Sequence, residues 1–308
     1  MKRTLVLAAA LAAALPFSAL AHKAWLLPSQ TVIAGNAPWI TVDGAVSNDL
    51  FYPDHVAMRL EQVKVWQPDG SEGKLENPAT GRYRSTFDVK VDKAGTWKIG
   101  TENNSVTGSF KLNGEEWRVG GRRGGGGPGG PGGPGGAGAR PANAAATPPA
   151  PAGGPQGGPP RQSVATPADI PAGATDVKLT DVFNRNFVFV TAGEPTQTVF
   201  GPTGKGLEMQ PITHPDALVA DEEGQFRYLV DGKPAAGVKV EVVPGGKRFR
   251  ETEGAQELTT GADGVLRVKW PVPGVYWISA SLTDNKPTTP RATDRRMTYT
   301  MTVEVPAP

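Results

Sequence analysis

The sequence contains no cysteine. That excludes disulfide cross-links, thiolate metal sites, cysteine nucleophiles and thiol redox chemistry. Stability must come from ordinary packed cores, and any metal must be held by nitrogen and oxygen donors. Neither sign of charge is in excess. The 32 Lys and Arg against 30 Asp and Glu leave a formal charge of +2, too little for a nucleic-acid-binding surface. No stretch beyond residue 21 carries an apolar period of 3.6 over three turns, so long amphipathic helices are not expected. Histidine is scarce: the chain has three, His22, His55 and His214.

Long apolar runs are missing too, apart from Leu5 to Leu15. That run follows Lys2 and Arg3 and precedes Ala19-Leu20-Ala21, which supplies small residues at the −3 and −1 positions of a cleavage point. It reads as a secretory signal peptide over residues 1–21, too short for a membrane span. The mature chain is then expected to begin at His22, in the periplasm, with no membrane span left after cleavage.

Gly and Pro are abundant, at 40 and 30, and they concentrate in residues 120–161, "GGRRGGGGPGGPGGPGG…GGPPR". With almost no large side chains, this segment is expected to be disordered. A flexible chain of that length has an end-to-end distance on the order of 35 Å, enough to join two domains or to form a long loop within one.

The rest of the chain reads as short β-strands separated by turns. Tyr83, Ser85, Phe87 and Val89 alternate with polar residues, and Trp97 and Ile99 follow a Lys-Ala-Gly turn. Met297, Tyr299, Met301, Val303 and Val305 close the chain with strict alternation. "GPTGKG", residues 201–206, lacks the hydroxyl residue and spacing of a phosphate loop and reads as a turn. The predicted fold class is all-β. Two antiparallel β-sandwich domains would occupy residues 22–119 and 217–308, with residues 162–216 completing the first. Most tryptophans are expected in the cores.

Three stretches carry a family likeness: "AHKAWLLPS" after the leader, "PTGKGLEMQPITHPDAL" in the middle, and "FRYLVDGKPAAGVKVEVVPGG…TTGADGVLRVKWPVPGVYWISASL" near the end. Together they resemble the domain-of-unknown-function 4198 family, over nearly the whole mature chain except the Gly/Pro segment. The resemblance implies a periplasmic protein of the kind labelled as a component of cobalt or nickel uptake. The last stretch is also similar to transthyretin-like or carboxypeptidase-regulatory-like sandwiches.

His22 carries the chemistry to be tested. As a mature N-terminus it would offer an α-amine, which ordinarily titrates near about 8, and an imidazole Nδ1, able to chelate one ion together. A second imidazole would complete a three-nitrogen histidine brace, a donor set suited to Cu(II) or Ni(II). The candidates are His214, before a proline in the family-like stretch, and His55, after Pro53-Asp54. Asp54 and Asp216 stand within two residues of a histidine as ligands or as acceptors orienting one. Trp25 is placed to wall such a pocket.

Three functions fit these features. The first is a non-catalytic binding protein for a divalent transition metal (nickel, cobalt or copper) that hands it to an outer-membrane receptor or uptake transporter. The second is a metal-independent cell-envelope scaffold or interaction module. The third is a copper-brace oxygenase, for which the sequence supplies no substrate groove.

Overall fold

The computed structural model describes residues 22–34, 38–120 and 162–308. The expected signal peptide and residues 121–161 of the Gly/Pro segment lie outside them. Before that segment the strands are β1 (Lys23–Pro28), β2 (Val32–Ile33), β3 (Trp39–Ser47), β4 (Val56–Ala57), β5 (Val63–Trp66), β6 (Glu76–Thr80), β7 (Ser85–Lys90), β8 (Gly95–Leu112) and β9 (Glu115–Val119). After it come β10 (Ser163–Val164), β11 (Thr175–Ala192), β12 (Leu207–Pro211), β13 (Glu223–Val230), β14 (Lys233–Pro234), β15 (Lys239–Pro244), β16 (Gln256–Thr259), β17 (Val265–Lys269), β18 (Gly274–Asp284) and β19 (Ala292–Val305). The protein is all-β, as its patterning predicts. Among the described residues no helix is long and apolar enough to cross a membrane.

The strands form three sheets. A ten-stranded sheet runs β10-β9-β8-β11-β19-β18-β15-β16, with β2 also on β11 and β5 on β8. A five-stranded sheet runs β1-β3-β7-β6 with β4 on β3, and a four-stranded sheet runs β12-β13-β14 with β17 on β13. The ten-stranded sheet is the middle layer. Successive side chains of a strand point to opposite faces, so each of its strands can serve two cores. Trp97, Ile99, Val188 and Val190 pack against Leu26, Ile40, Val42, Phe87 and Val89 of the five-stranded sheet. Phe187, Phe189, Tyr299 and Met301 pack on the other side against Phe226, Tyr228, Leu266 and Val268 of the four-stranded sheet.

Pairing is more mixed than the expected antiparallel pattern. β11 pairs antiparallel with β8 but parallel with β19, and β10 pairs parallel with β9. A parallel neighbour needs a crossover connection. Here the crossover from β11 to β19 is the whole four-stranded sheet together with β15, β16 and β18. The stretch 162–216 accordingly divides: β10 and β11 join strands that precede the Gly/Pro segment, whereas β12 pairs with β13. Gly100, at φ 156°, sits on β8 against the backbone of β11. A Cβ there would collide with the Asn186 carbonyl.

Two buried guanidiniums tie the layers together. Arg185 donates to Glu102 and to the carbonyls of Lys205 (2.9 Å) and Leu207 (2.6 Å). Arg295 spans Asp231 and Asp284 with bonds of 2.6–3.1 Å.

The Gly/Pro segment leaves and re-enters the fold at one point. Arg118 N donates to Gln162 O at 3.0 Å, and Gly120 N to Val164 O at 3.1 Å. Its ends are already held together, so its length bears on the fold only through a slowly varying closure entropy. Replacing residues 121–161 by a short Gly-Ser linker is expected to leave the cooperative thermal unfolding midpoint within a few degrees of the full chain, measured by circular dichroism.

Candidate metal centre and the cavity beside it

His22 lies one residue before β1, and His55 one residue before β4. Both strands pair with β3, on its two opposite sides: Ala24 and Val56 are each registered with Val46. This arrangement brings the two imidazoles together. Their ring centroids are 3.7 Å apart with planes 9° from parallel, and both residues are exposed. Stacked rings direct their in-plane lone pairs side by side, so a shared ion requires one ring to turn about its side-chain torsions. Asp54 does not join the pair. Its Oδ1 accepts from Asn48 N at 2.9 Å and shapes the loop that carries His55.

The residues after His22 are firmly anchored. Lys23 Nζ contacts Glu241 at 3.1 Å and Glu253 at 2.9 Å, with Trp277 beneath it. Trp277 Nε1 donates to Ala24 O at 3.0 Å, and Trp25 Nε1 donates to Ser47 Oγ at 2.7 Å. Trp25 does not wall the histidines. It is buried with Ala45, Leu50, Val243 and Trp277.

His22, Lys23 and Ala24 border a solvent-open cavity of about 770 Å³. Its floor is the ten-stranded sheet beyond the reach of the five-stranded one. One row of registered residues crosses it: Thr101, Asn186, Thr300, Ser279 and Glu241. The adjacent row holds Asn103, Asn184 and Thr298. Arg59 and Arg296 stand at its rim.

His214 belongs to a different site. It caps a short 3-10 turn, Pro215–Ala217, and its Nδ1 accepts from Asp216 N at 3.1 Å. With that lone pair engaged, Nε2 carries the proton and faces Thr96 Oγ1 at 3.0 Å. Thr96 meets Thr191 Oγ1 at 3.1 Å, and Thr191 donates to Asp216 Oδ2 at 2.5 Å. Thr191 lies five residues along β11 from Asn186, roughly 16 Å at the usual rise per residue. The structure therefore brings His22 to His55 and leaves His214 in a buried hydrogen-bond circuit with neither nitrogen free. Among the described residues no three His, Asp or Glu side chains converge as a ligand set.

A family model described as a domain of unknown function, DUF4198, matches residues 19–284. The chain belongs to this family. No curated protein matches it. Among solved structures, the trypsin-activated alpha-2-macroglobulin of Escherichia coli is 11% identical, with 92% of this chain and 16% of that one covered and a TM-score of 0.20. The Bacillus anthracis TIE protein is 9% identical, with 92% and 39% covered and a TM-score of 0.15. The chain thus spans well under half the length of either, and TM-scores this low carry nothing over to it.

In this DUF4198 chain the polar circuit around His214 has its own electrostatics. Burial lowers the His214 pKa. Burial is also the largest influence on Asp216; with Glu304 nearby it outweighs the Thr191 hydrogen bond and pushes the carboxyl up to about 7. A carboxyl raised in the folded state contributes stability that is fully present below its unfolded pKa and is lost as pH rises through the folded value. The His214 shift acts in the opposite sense, stability falling as pH drops below the ordinary imidazole range, so the two overlap under pH 6.5. Comparison with Asp216→Asn, which keeps an acceptor for Thr191, isolates the carboxyl. The melting temperature of the wild type minus that of the variant is expected to fall steadily from pH 4 to pH 7 and to level off above. Scanning calorimetry across that range checks it, and a flat difference would show that Asp216 is not raised.

Proposed function

We propose that the protein is a non-catalytic, periplasmic carrier of a divalent transition metal (nickel, cobalt or copper) that supports uptake. The observation behind this reading is the meeting of His22 with His55 at the point where signal cleavage would create a free amine. In that reading the His22 amine and imidazole chelate the ion and His55 supplies the third nitrogen. Exposure of both rings suits a cargo that must be taken up and released. Anchoring of Lys23 and Trp25 supports it too, because it holds the α-amine of a processed chain beside the rings. The recipient would be an outer-membrane receptor or a metal transporter. His214, its nitrogens engaged, has no part in the ligand set.

A metal-independent envelope scaffold is favoured by a different observation. Phe249 is 85% exposed, and Arg248 lies 3.9 Å over the ring of the exposed Tyr52, three residues before His55 in the chain. Such an aromatic-arginine patch is of the kind that anchors protein partners.

Calorimetric titration of Ni(II), Co(II) and Cu(II) into protein verified to start at His22 separates the two. The carrier reading expects saturable binding by at least one ion. It expects loss of at least about tenfold in affinity in His22→Ala, in His55→Ala and on adding one residue before His22. His214→Ala should bind as the wild type does if it folds. Equal binding by wild type and His55→Ala, or none by either, would leave the scaffold reading.

A further inference from the structure

β19 pairs with β11 as far as Thr302, opposite Val188; beyond that, β11 takes β2 as its neighbour at Thr191 and Ala192. Glu304 bridges the parting strands, its Oε2 accepting from Thr31 N at 3.0 Å and Thr31 Oγ1 at 2.7 Å. Beside this junction lies a solvent-open cavity of about 520 Å³, which shares no lining residue with the one that His22 borders.

Two carboxyls line it, Asp216 and Glu304. Each is tied to the protein through one oxygen, Asp216 Oδ2 by Thr191 and Glu304 Oε2 by Thr31. The other oxygens, Asp216 Oδ1 and Glu304 Oε1, have no hydrogen-bond partner among the described residues, yet neither is closed off from solvent. Thr191 N donates to Thr31 O at 2.8 Å, so the two mounts are themselves linked. No Lys, Arg or His is among the lining residues, and the two carboxyls repel each other unanswered. The walls are mostly apolar: Val32, 50% exposed, with Pro273, Val275 and Pro306. An apolar hollow with a few convergent polar groups has the make-up of a small-molecule site, and here those groups are anionic. Calcium and magnesium want a full shell of oxygens, which walls of Val and Pro side chains do not supply.

We propose that this cavity binds a small primary alkylammonium ion. Its N–H groups donate to Asp216 Oδ1 and Glu304 Oε1, and its hydrocarbon chain lies against Val32, Pro273, Val275 and Pro306. The cation relieves the repulsion between the carboxyls, and the chain covers apolar surface otherwise left to water. Neither His22 nor His55 takes part, so the site stands whether or not they hold a metal.

Pentylammonium is titrated calorimetrically into the full chain at about pH 8, where the Asp216 carboxyl is ionised, with pentanol and the bare ammonium ion as partial ligands. The proposal expects saturable binding of pentylammonium, at least about tenfold tighter than of either partial ligand. Affinity is expected to fall at least about tenfold in Asp216→Asn and in Glu304→Gln, and severalfold in Val32→Ser. Val32 is on the surface, so its variant remains informative even where a carboxyl variant unfolds. No saturable binding, a partial ligand as tight as pentylammonium, or unchanged affinity in the variants that fold would overturn the proposal.

Discussion

Everything in this structure hangs on the pairing of β8 with β11. Their register runs from Thr175–Lys111 to Ala192–Gly95, nearly the full length of two eighteen-residue strands. At one end the pair presents Trp97, Ile99, Val188 and Val190 to the N-terminal sheet, and on its reverse Phe187 and Phe189 enter the C-terminal core. A single backbone ladder thus supplies a wall to each of two cores. The layers on either side share its register.

The candidate sites follow from where cover stops. Along one face of β8 the residues read Trp97, Ile99, Thr101, Asn103, and along β11 Val190, Val188, Asn186, Asn184. The change from apolar to polar falls where the five-stranded sheet ends. There, the chain before β1 and the loop before β4 bring His22 and His55 over the exposed continuation of the same sheet. Core and cavity floor are successive lengths of one strand pair, distinguished by what lies above them.

Residue type alone reveals much of this fold. The alternation at Phe87 and Val89 follows from one buried face; that at Met297 to Val305 marks the apolar face of a strand whose Thr300 and Thr302 are buried on the other, and both stretches are strands. Partnership is less visible. The parallel pairing of β11 with β19 joins segments more than a hundred residues apart, and nothing local in either encodes it. Both faces lose apolar residues from Thr101 to Ser105, yet the ladder continues through this polar run. Of the three histidines, sequence marks each as a ligand candidate but not which two meet. His214 is committed by Thr96, whose approach depends on the tertiary fold. Asn186 has one local signal, a polar residue in phase with Val188 and Val190, and its neighbour in the cavity floor, Thr300, comes from the far end of the chain.

Besides its ladder with β3, β1 is held by groups that are made last. Lys23 waits for Glu241 and Glu253, Ala24 for Trp277, and Thr31, just beyond β1, for Glu304. A chain that emerges N-terminus first has none of these partners until its final quarter has arrived. Contacts so distant in sequence form slowly, since a long loop must close before they add stability. β1 can therefore pair with β3 early, but its side-chain ties to Glu241, Glu253, Trp277 and Glu304 close only once the far end of the chain is in place.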